Sequence, residues 1–279
     1  MDGIILVNKP SGITSHTLVL KARKRLGISK IGHTGTLDPL AEGLMILTVG
    51  KATKILPFMS HYFKEYVATM KLGLRSDTLD ITGNILENRE PKSFKDDEIR
   101  DVLNSFIGER RQIPPMYSAK KVNGSKLYDL ARKNIEIERE SQPITIREME
   151  LLSHDYDEIT FRTLCSTGTY VRVLIEDIAA KLSEIAVMKN LKRTAIDQYR
   201  LEDACEIEQL DENVRVIRAY EALRDYRYVE VDDAADVLNG KPLYFDEELP
   251  DTVMITHEGQ ILACYERKDG RYYCRRGLW

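Results

Sequence analysis

The apolar residues of the first 200 positions recur with two periods, two residues for strands and three to four for helices. Between positions 66 and 72, apolar and polar residues alternate, which places Tyr66 on the more apolar face of a strand. Short apolar runs bounded by Gly, Pro or Asn predict further strands. The predicted strands are 4–7, 44–49, 66–72, 144–152, 159–165 and 191–199.

Helical periodicity occupies the segments between these strands. Thr14 or Ser15 can cap a first helix, in which Val19, Ala22 and Leu26 share one face. Further helices are predicted behind the acidic start at 96–98, from 125 to about 134, and from 171 to 182. Because strands and helices do not alternate as regular βαβ units, the pattern favours an α+β fold.

The chain from about Val229 onward has a different organisation. Its short strands are separated by the turn pairs Asn239-Gly240 and Asp269-Gly270 and by the turn at 257–259. This spacing is typical of a small β-barrel or sandwich. We therefore predict a large domain over 1–228 and a small β domain over 229–279.

Composition narrows the class of protein. Apolar residues make up 43% and charged residues 31% of the 279 positions, which excludes a largely disordered chain. No apolar run reaches the length of a membrane-spanning helix, and no basic segment precedes the first apolar run, so we expect a cytoplasmic protein without a membrane partner. The four cysteines lack the spacing of a zinc site, and no metal is expected.

The charge is distributed unevenly. Residues 1–200 carry 31 basic and 26 acidic side chains, whereas residues 201–279 carry 10 and 19. The basic excess lies in 1–60 and 109–133, and two basic patches on a weakly acidic chain favour a polyanionic ligand such as nucleic acid. Solvated helix faces would give the same counts.

The polar, Gly-containing segment 30–43, which we predict to be a loop, is the most unusual in the chain. Flanking glycines permit tight turns, and Pro39 keeps Asp38 out of helical geometry, so the loop can hold this carboxylate in a cleft. An ionised Asp can act as a nucleophile without a partner base. A structural acid in an Asp-Pro turn is the alternative. His33, in the same loop, is by itself most readily a turn residue.

Arg172 lies in the first turn of the predicted helix 171–182, where the helix dipole disfavours a cation and a carboxylate partner is expected. Asp38 could be this partner, although the spacing of the two residues in the sequence does not distinguish such an ion pair from an ordinary surface salt bridge. Tyr66 and Tyr170 can stack on a base or simply pack in the core. No phosphate-binding loop motif occurs, which disfavours nucleotide hydrolysis.

Six motifs follow one another along the first 200 residues, and together they carry a family resemblance. They are GIILVNKPSG at 3–12, GHTGTLDPLAEG at 32–43, KEY at 64–66, GLRSDTLDITG at 73–83, QIPPMYSA at 112–119 and STGTYVR at 166–172. In this order they closely resemble the motifs of the bacterial tRNA pseudouridine-55 synthases, the TruB family. The resemblance implies a pseudouridine-synthase-type mixed sheet with flanking helices, a basic insertion at about 109–134 and a small C-terminal PUA-like domain.

The resemblance also implies roles for individual residues. Asp38 corresponds to the catalytic nucleophile, Arg172 to its ion-pair partner, and Tyr66 to a residue that stacks on the target base and takes part in proton transfer at C5. The remaining positions implied at the substrate site are His33, which fills space left by the extruded nucleotide, Tyr170 and Leu191, which line the uridine pocket, and Lys9 and Pro10, which support the cleft.

The function implied is isomerisation of uridine 55, in the T-arm loop of tRNA, to pseudouridine. Such a reaction is redox-neutral and adds no atoms, so no cofactor is expected. The resemblance implies a monomer that binds tRNA and implies no protein partner. One alternative is a T-arm RNA-binding or folding module without essential chemistry. Another is a carboxylate glycosidase, for which Asp77 and Asp80 are the nearest candidates for a second acid.

Overall fold

A computed structural model describes residues 1–59, 63–118, 120–122, 124–131, 133 and 135–278, with the backbone alone for 121, 125 and 126. Its helices are α1 Ser15–Leu26, α2 Asp96–Asn104, α3 Leu127–Ala131, α4 Val171–Lys181, α5 Ala219–Ala222 and α6 Ala235–Leu238. Short 3-10 helices cover Gly50–Lys54, Leu56–Phe58, Leu201–Asp203 and Ile207–Gln209.

The strands of the first 200 residues are β1 Gly3–Lys9, β2 Ile31–Thr34, β3 Glu42–Val49, β4 Phe63–Leu72, β5 Leu74–Ser76, β6 Ile85–Asn88, β7 Gly108–Gln112, β8 Lys121–Val122, β9 Ser125–Lys126, β10 Gln142–His154, β11 Glu158–Ser166, β12 Ala186–Ile196 and β13 Tyr199–Arg200. Those that follow are β14 Arg227–Glu230, β15 Thr252–His257, β16 Gln260–Lys268 and β17 Arg271–Gly277.

A nine-stranded mixed sheet forms the body of the molecule. Its central order is β1-β3-β12-β4-β11-β10-β7, with β2 paired to β3 and β13 paired to β12. The pairing of β12 with β3 is parallel, whereas the other pairings are antiparallel. Helices and a mixed sheet in this order confirm the α+β prediction.

Alternate residues of β1 face two different cores. Ile5 and Val7 belong to the core cluster on one face of the sheet, which also includes residues of α1, α2 and α4. Ile4 and Leu6 face a second cluster, to which the C-terminal strands contribute Met254 and Cys264. A strand buried on both faces needs apolar residues at consecutive positions, which explains the unbroken run at 4–7.

The C-terminal strands form a separate four-stranded sheet in the order β14-β15-β16-β17. The turns predicted at 257–259 and 269–270 connect β15 to β16 and β16 to β17. Its first strand, β14, begins at Arg227, just ahead of position 229, where the sequence pattern changes. Every helix in the described ranges is too short or too polar to cross a bilayer.

Three predicted elements differ from the structure. Segment 30–43 is not wholly a loop, because Ile31–Thr34 pairs with β3 as strand β2. The final strand of the large sheet begins at Ala186 rather than 191, and its chain turns back into β13 after Ile196. The helix predicted from 125 to about 134 is only the short α3 behind the β8–β9 pair, and Asn134 lies outside the described residues.

The parallel contact of β12 with β3 requires a glycine at position 43. Gly43 has φ +104°, and a Cβ there would lie 2.3 Å from the carbonyl oxygen of Arg193. We expect Gly43→Ala to lower the free energy of unfolding by about 3 kcal/mol or more, because both the backbone strain and the clash must be accommodated. Urea denaturation measures this effect.

Gly108→Ala is the matched control for that substitution. Gly108 has φ +119°, but no atom lies within 4 Å of a Cβ built there. Only the conformational cost of about 1–2 kcal/mol remains. Equal losses of stability in the two variants would contradict the close approach at Gly43.

Candidate active site

Asp38 lies in the connection between β2 and β3, and the segment after β1 holds this connection in place. The Gly12 amide donates to the carbonyl of Pro39 at 2.8 Å, and Ser11 Oγ donates to the carbonyl of Leu40 at 2.7 Å. The side chain of Asp38 is 37% exposed. The first and second sequence motifs therefore form one structural unit that presents a carboxylate to solvent.

Ser15 fixes the residue that precedes the carboxylate. Its hydroxyl accepts from the amide of Leu37 at 2.9 Å and lies 3.0 Å from the Leu37 carbonyl, to which it donates. Ser15 is 2% exposed, so this pair of hydrogen bonds is shielded from water. The cap of α1 is Thr14, whose hydroxyl accepts from the amide of Thr17, and Ser15 is left free to hold the loop.

Arg172 meets Asp38 from the first turn of α4. Its Nε lies 2.9 Å from Asp38 Oδ2, so the two side chains form an ion pair. The other guanidinium nitrogens donate to the carbonyls of Thr78 at 2.8 Å and Tyr117 at 2.7 Å. At 5% exposure, Arg172 is a buried cation, each of whose three guanidinium nitrogens has a partner, and it fixes the orientation of the carboxylate.

Tyr66 and Arg193 are direct neighbours across the β4–β12 pairing. Arg193 is fully buried, and it donates to the carbonyls of Leu44 at 2.7 Å and Gly35 at 3.0 Å. Burial raises the pKa of Tyr66, and the Arg193 guanidinium opposes this rise. The Tyr66 hydroxyl is therefore neutral at physiological pH and close to the charges of Arg193 and Asp38.

Lys9 is fully buried behind the Asp38 connection. Its ammonium donates to the carbonyls of Ile13 at 2.7 Å, Pro10 at 2.9 Å and Pro39 at 3.4 Å. Burial lowers the pKa of Lys9 to about 8, although the charge of Asp38 partly offsets this effect. Lys9 thus holds two backbone turns together, and Pro10 takes part through its carbonyl.

Tyr170 is placed by a two-point contact with Gln112. Its amide donates to Gln112 Oε1 at 2.7 Å, and Gln112 Nε2 donates to its carbonyl at 3.1 Å. Burial raises the pKa of Tyr170, and the charge of Asp38 acts in the same direction. Tyr170 therefore lies within electrostatic range of Asp38. It is the residue immediately before α4, two positions ahead of Arg172.

His33 and Leu191 complete the predicted set. His33 lies in β2 rather than in a loop, and its Nε2 is 3.2 Å from the hydroxyl of Thr36. Burial, followed by the charges of Arg193 and His16, lowers the pKa of His33, so the ring is neutral at pH 7. Leu191 is buried beside Ala68 of β4 and belongs to the same core cluster as Tyr66.

The surroundings of Asp38 are strongly cationic. Its charge acts on Lys9 and Tyr66, and Arg172 contacts it directly. Arg193 supplies a further buried cation, whose charge acts on both Lys9 and Tyr66. Such an arrangement suits a carboxylate that must stay charged and a ligand that brings negative charge.

The carboxylates of Asp77 and Asp80 are used within their own turn. Asp80 Oδ1 accepts from the hydroxyls of Thr82 at 2.6 Å and Thr78 at 2.9 Å, and Asp77 Oδ1 accepts from the amide of Asn84 at 2.9 Å. These bonds give both acids a structural role and disfavour a two-carboxylate glycosidase.

Sequence reasoning missed three residues that build the site, namely Ser15, Gln112 and Arg193. The sequence pattern indicates Ser15 only as a helix cap and Gln112 only as part of a motif. The signal for Arg193 is a charged residue inside an otherwise buried strand, which is rarely tolerated unless its nitrogens find partners.

Comparison with known proteins assigns the fold and the chain to a class. A chain of the solved Cbf5-Nop10-Gar1 complex superposes with a TM-score of 0.73 at 22% identity, covering 100% of this chain and 85% of that chain, so the two share a fold. The model of the TruB family pseudouridylate synthases, N-terminal domain, matches residues 23–171.

Close relatives extend the match over nearly the whole chain. The tRNA pseudouridine synthase B of Mesoplasma florum is 37% identical over 99% of this chain and 98% of its own length. That of Alkaliphilus oremlandii is 43% identical over 96% and 91%. The chain therefore belongs to the TruB family of pseudouridylate synthases.

The hydrogen bonds of Ser15 generate a prediction about the Asp38 connection. We expect Ser15→Ala to expose the Leu37 amide and to lower the free energy of unfolding by about 1–3 kcal/mol, because a buried donor and acceptor lose their partner. Amide hydrogen exchange at Leu37 measures the local effect. Thr14→Ala, which removes only the helix cap, should leave exchange at Leu37 unchanged, and equal exchange in both variants would contradict the assignment.

Proposed function

We propose that this protein isomerises uridine 55 in the T-arm loop of tRNA to pseudouridine, with Asp38 as the nucleophile. The observation that carries the proposal is the partly exposed Asp38 carboxylate held at 2.9 Å by the buried Arg172 guanidinium. The relatives named tRNA pseudouridine synthase B support tRNA as the substrate.

The target base is stacked within the folded loop, so it must first be flipped out at a cost of a few kcal/mol. Contacts to the RNA backbone offset this cost. Lys21, Lys24 and Lys30 are exposed along and after α1, next to the Asp38 connection in the chain, and we assign them to phosphate contacts. The basic segment 109–134 is the second proposed contact region.

Once the base is flipped, Asp38 attacks C1′ or C6 of the nucleotide. The bond from C1′ to N1 breaks, the base turns, and a bond from C1′ to C5 forms. The bond between Asp38 and the nucleotide then breaks, which restores the free carboxylate. C5 then loses its proton while N1 gains one, so atoms and charge balance without a cofactor. Arg172 keeps the carboxylate oriented, and Tyr66 offers a ring for stacking and a neutral hydroxyl near C5. Tyr170 and Leu191 line the pocket, His33 lies beside it, and Lys9 with Pro10 supports the Asp38 connection.

Replacement of the nucleophile tests the proposal most simply. We expect Asp38→Asn to lower the rate of pseudouridine formation in an unmodified tRNA transcript by about 10⁴-fold, because the amide cannot attack carbon. Its affinity for the transcript should change little. Glu42→Gln is the control, since Glu42 is an exposed carboxylate at the other end of the same connection, paired to Lys192 at 3.5 Å.

The same experiment separates the alternative functions. An Asp38→Asn rate within tenfold of the wild type would contradict the nucleophile. An RNA-binding or folding module would bind the transcript without forming pseudouridine in any variant.

The hydroxyl of Tyr66 has a separate role to test. We expect Tyr66→Phe to keep the stacking ring but to lower the single-turnover rate by about 10²-fold, the usual contribution of one acid or base group. Tyr199→Phe is the matched control, because Tyr199 is also a buried tyrosine but lies on β13 beyond the site. An unaltered rate for Tyr66→Phe would remove the proton-transfer role.

A further inference from the structure

Lys64 is a charged residue of β4 for which the mechanism above has no use. It lies two residues before Tyr66, so its side chain leaves the same face of the strand about 7 Å away. Its ammonium lies 3.3 Å from the hydroxyl of Thr167. No carboxylate of the described residues forms a salt bridge with it, unlike Lys71 of the same strand, which pairs with Asp157 and Glu158.

The surroundings of Lys64 at the rim of the site add positive charge. The side of Gly35 that would carry a Cβ faces Lys64 Nζ at 2.9 Å and Arg193 Nη1 at 3.5 Å. Arg193 Nη1 is buried and has no hydrogen-bond partner among the described residues. Gly35 and Thr167 are themselves exposed, so Lys64 stands at an opening with a second cation behind it.

The acidic groups near Lys64 and Arg193 do not neutralise these two cations. Cys165 is a neutral thiol, because burial raises its pKa to about 11. The carboxylate of Asp197 accepts from the amide of Phe63 at 2.9 Å, and its charge offsets only part of the effect of burial on Lys64. Burial, with Arg193, lowers the pKa of Lys64 to about 8. The folded protein therefore holds a cation at a cost to its stability, and such a cost is typical of a binding group.

We propose that Lys64 Nζ and the Thr167 hydroxyl, backed by the Arg193 guanidinium, bind one phosphodiester group of the RNA next to the flipped nucleotide. This inference rests on the proposed function, because a base stacked on Tyr66 brings its own backbone to the rim of the site. A lysine recognises phosphate as a point charge, and a hydroxyl can donate the second hydrogen bond.

Neutralising single phosphates tests the contact. Two proteins are compared, Asp38→Asn and Asp38→Asn with Lys64→Met, so that no turnover disturbs binding. Each is titrated with T-arm stem-loop RNA that is either all-phosphate or carries one methylphosphonate, placed in turn at each linkage within two nucleotides of the target uridine. We expect Lys64→Met to weaken binding of the all-phosphate RNA about tenfold and to reduce the salt slope by about 1.

One linkage should abolish that difference. With the methylphosphonate at the contacted phosphate, the two proteins should bind equally, whereas elsewhere the tenfold difference should persist. Thr167→Val should show a smaller loss that vanishes at the same linkage, and Lys71→Met should show none. A loss that persists at every linkage, or no loss with the all-phosphate RNA, would overturn the proposal.

Thermal unfolding separates this role from a structural one. We expect Lys64→Met to raise Tm at pH 7, because it removes a partly buried cation beside Arg193. The folded-state pKa lies below the ordinary value, so the wild type gains stability as pH rises above about 8. The difference in Tm should therefore shrink toward pH 10. A Tm lowered by the substitution would identify Lys64 as structural and would contradict the proposal.

Pseudouridine formation by the wild-type enzyme in the same RNA is measured in parallel. Absence of pseudouridine would count against the proposed function. If pseudouridine forms but the loss caused by Lys64→Met persists with the methylphosphonate at every linkage, the result would count against the phosphate contact alone.

Discussion

The structure of the site depends on one ion pair, between the partly exposed carboxylate of Asp38 and the buried guanidinium of Arg172. A buried guanidinium is costly unless each of its nitrogens finds a partner, and here the partners come from three separate segments: Asp38, Thr78 and Tyr117. Arg172 therefore ties the start of α4 to three other segments: the β2–β3 connection, the segment that contains Thr78 and the segment that contains Tyr117. The Asp38 carboxylate is therefore held by Arg172 but still reaches solvent.

Buried positive charge is the second constraint on the site. Lys9 and Arg193 are fully buried, and backbone carbonyls rather than carboxylates satisfy most of their hydrogen bonds. This leaves Asp38 as the main negative charge among several cations. A positive interior attracts a polyanion, and RNA is a polyanion. The depressed pKa values of Lys9 and Lys64 show what this arrangement costs the folded state.

The local pattern of apolar and polar residues predicted the helices and strands better than it predicted the contacts within the site. The alternation that begins at Tyr66 and the capped helix after Thr14 are short-range signals, and the structure contains both. Strand β2 was missed because Ile31–Thr34 becomes a strand only through its pairing with β3. The sequence motifs indicated Asp38 and Arg172, but their contact joins distant segments, which spacing alone cannot resolve. Arg193 was missed because a charged residue ordinarily indicates an exposed position, whereas its partners here are carbonyls of β3 and of the connection that carries Asp38.

A structure of the Asp38→Asn protein bound to an unmodified T-arm stem-loop tests the central claim most directly. The account predicts that the target uridine is flipped out of the loop and stacked on Tyr66, with C1′ or C6 within about 3.5 Å of the Asn side chain. A uridine that remains stacked in its loop, or that enters the site with both carbons beyond reach of residue 38, would contradict it.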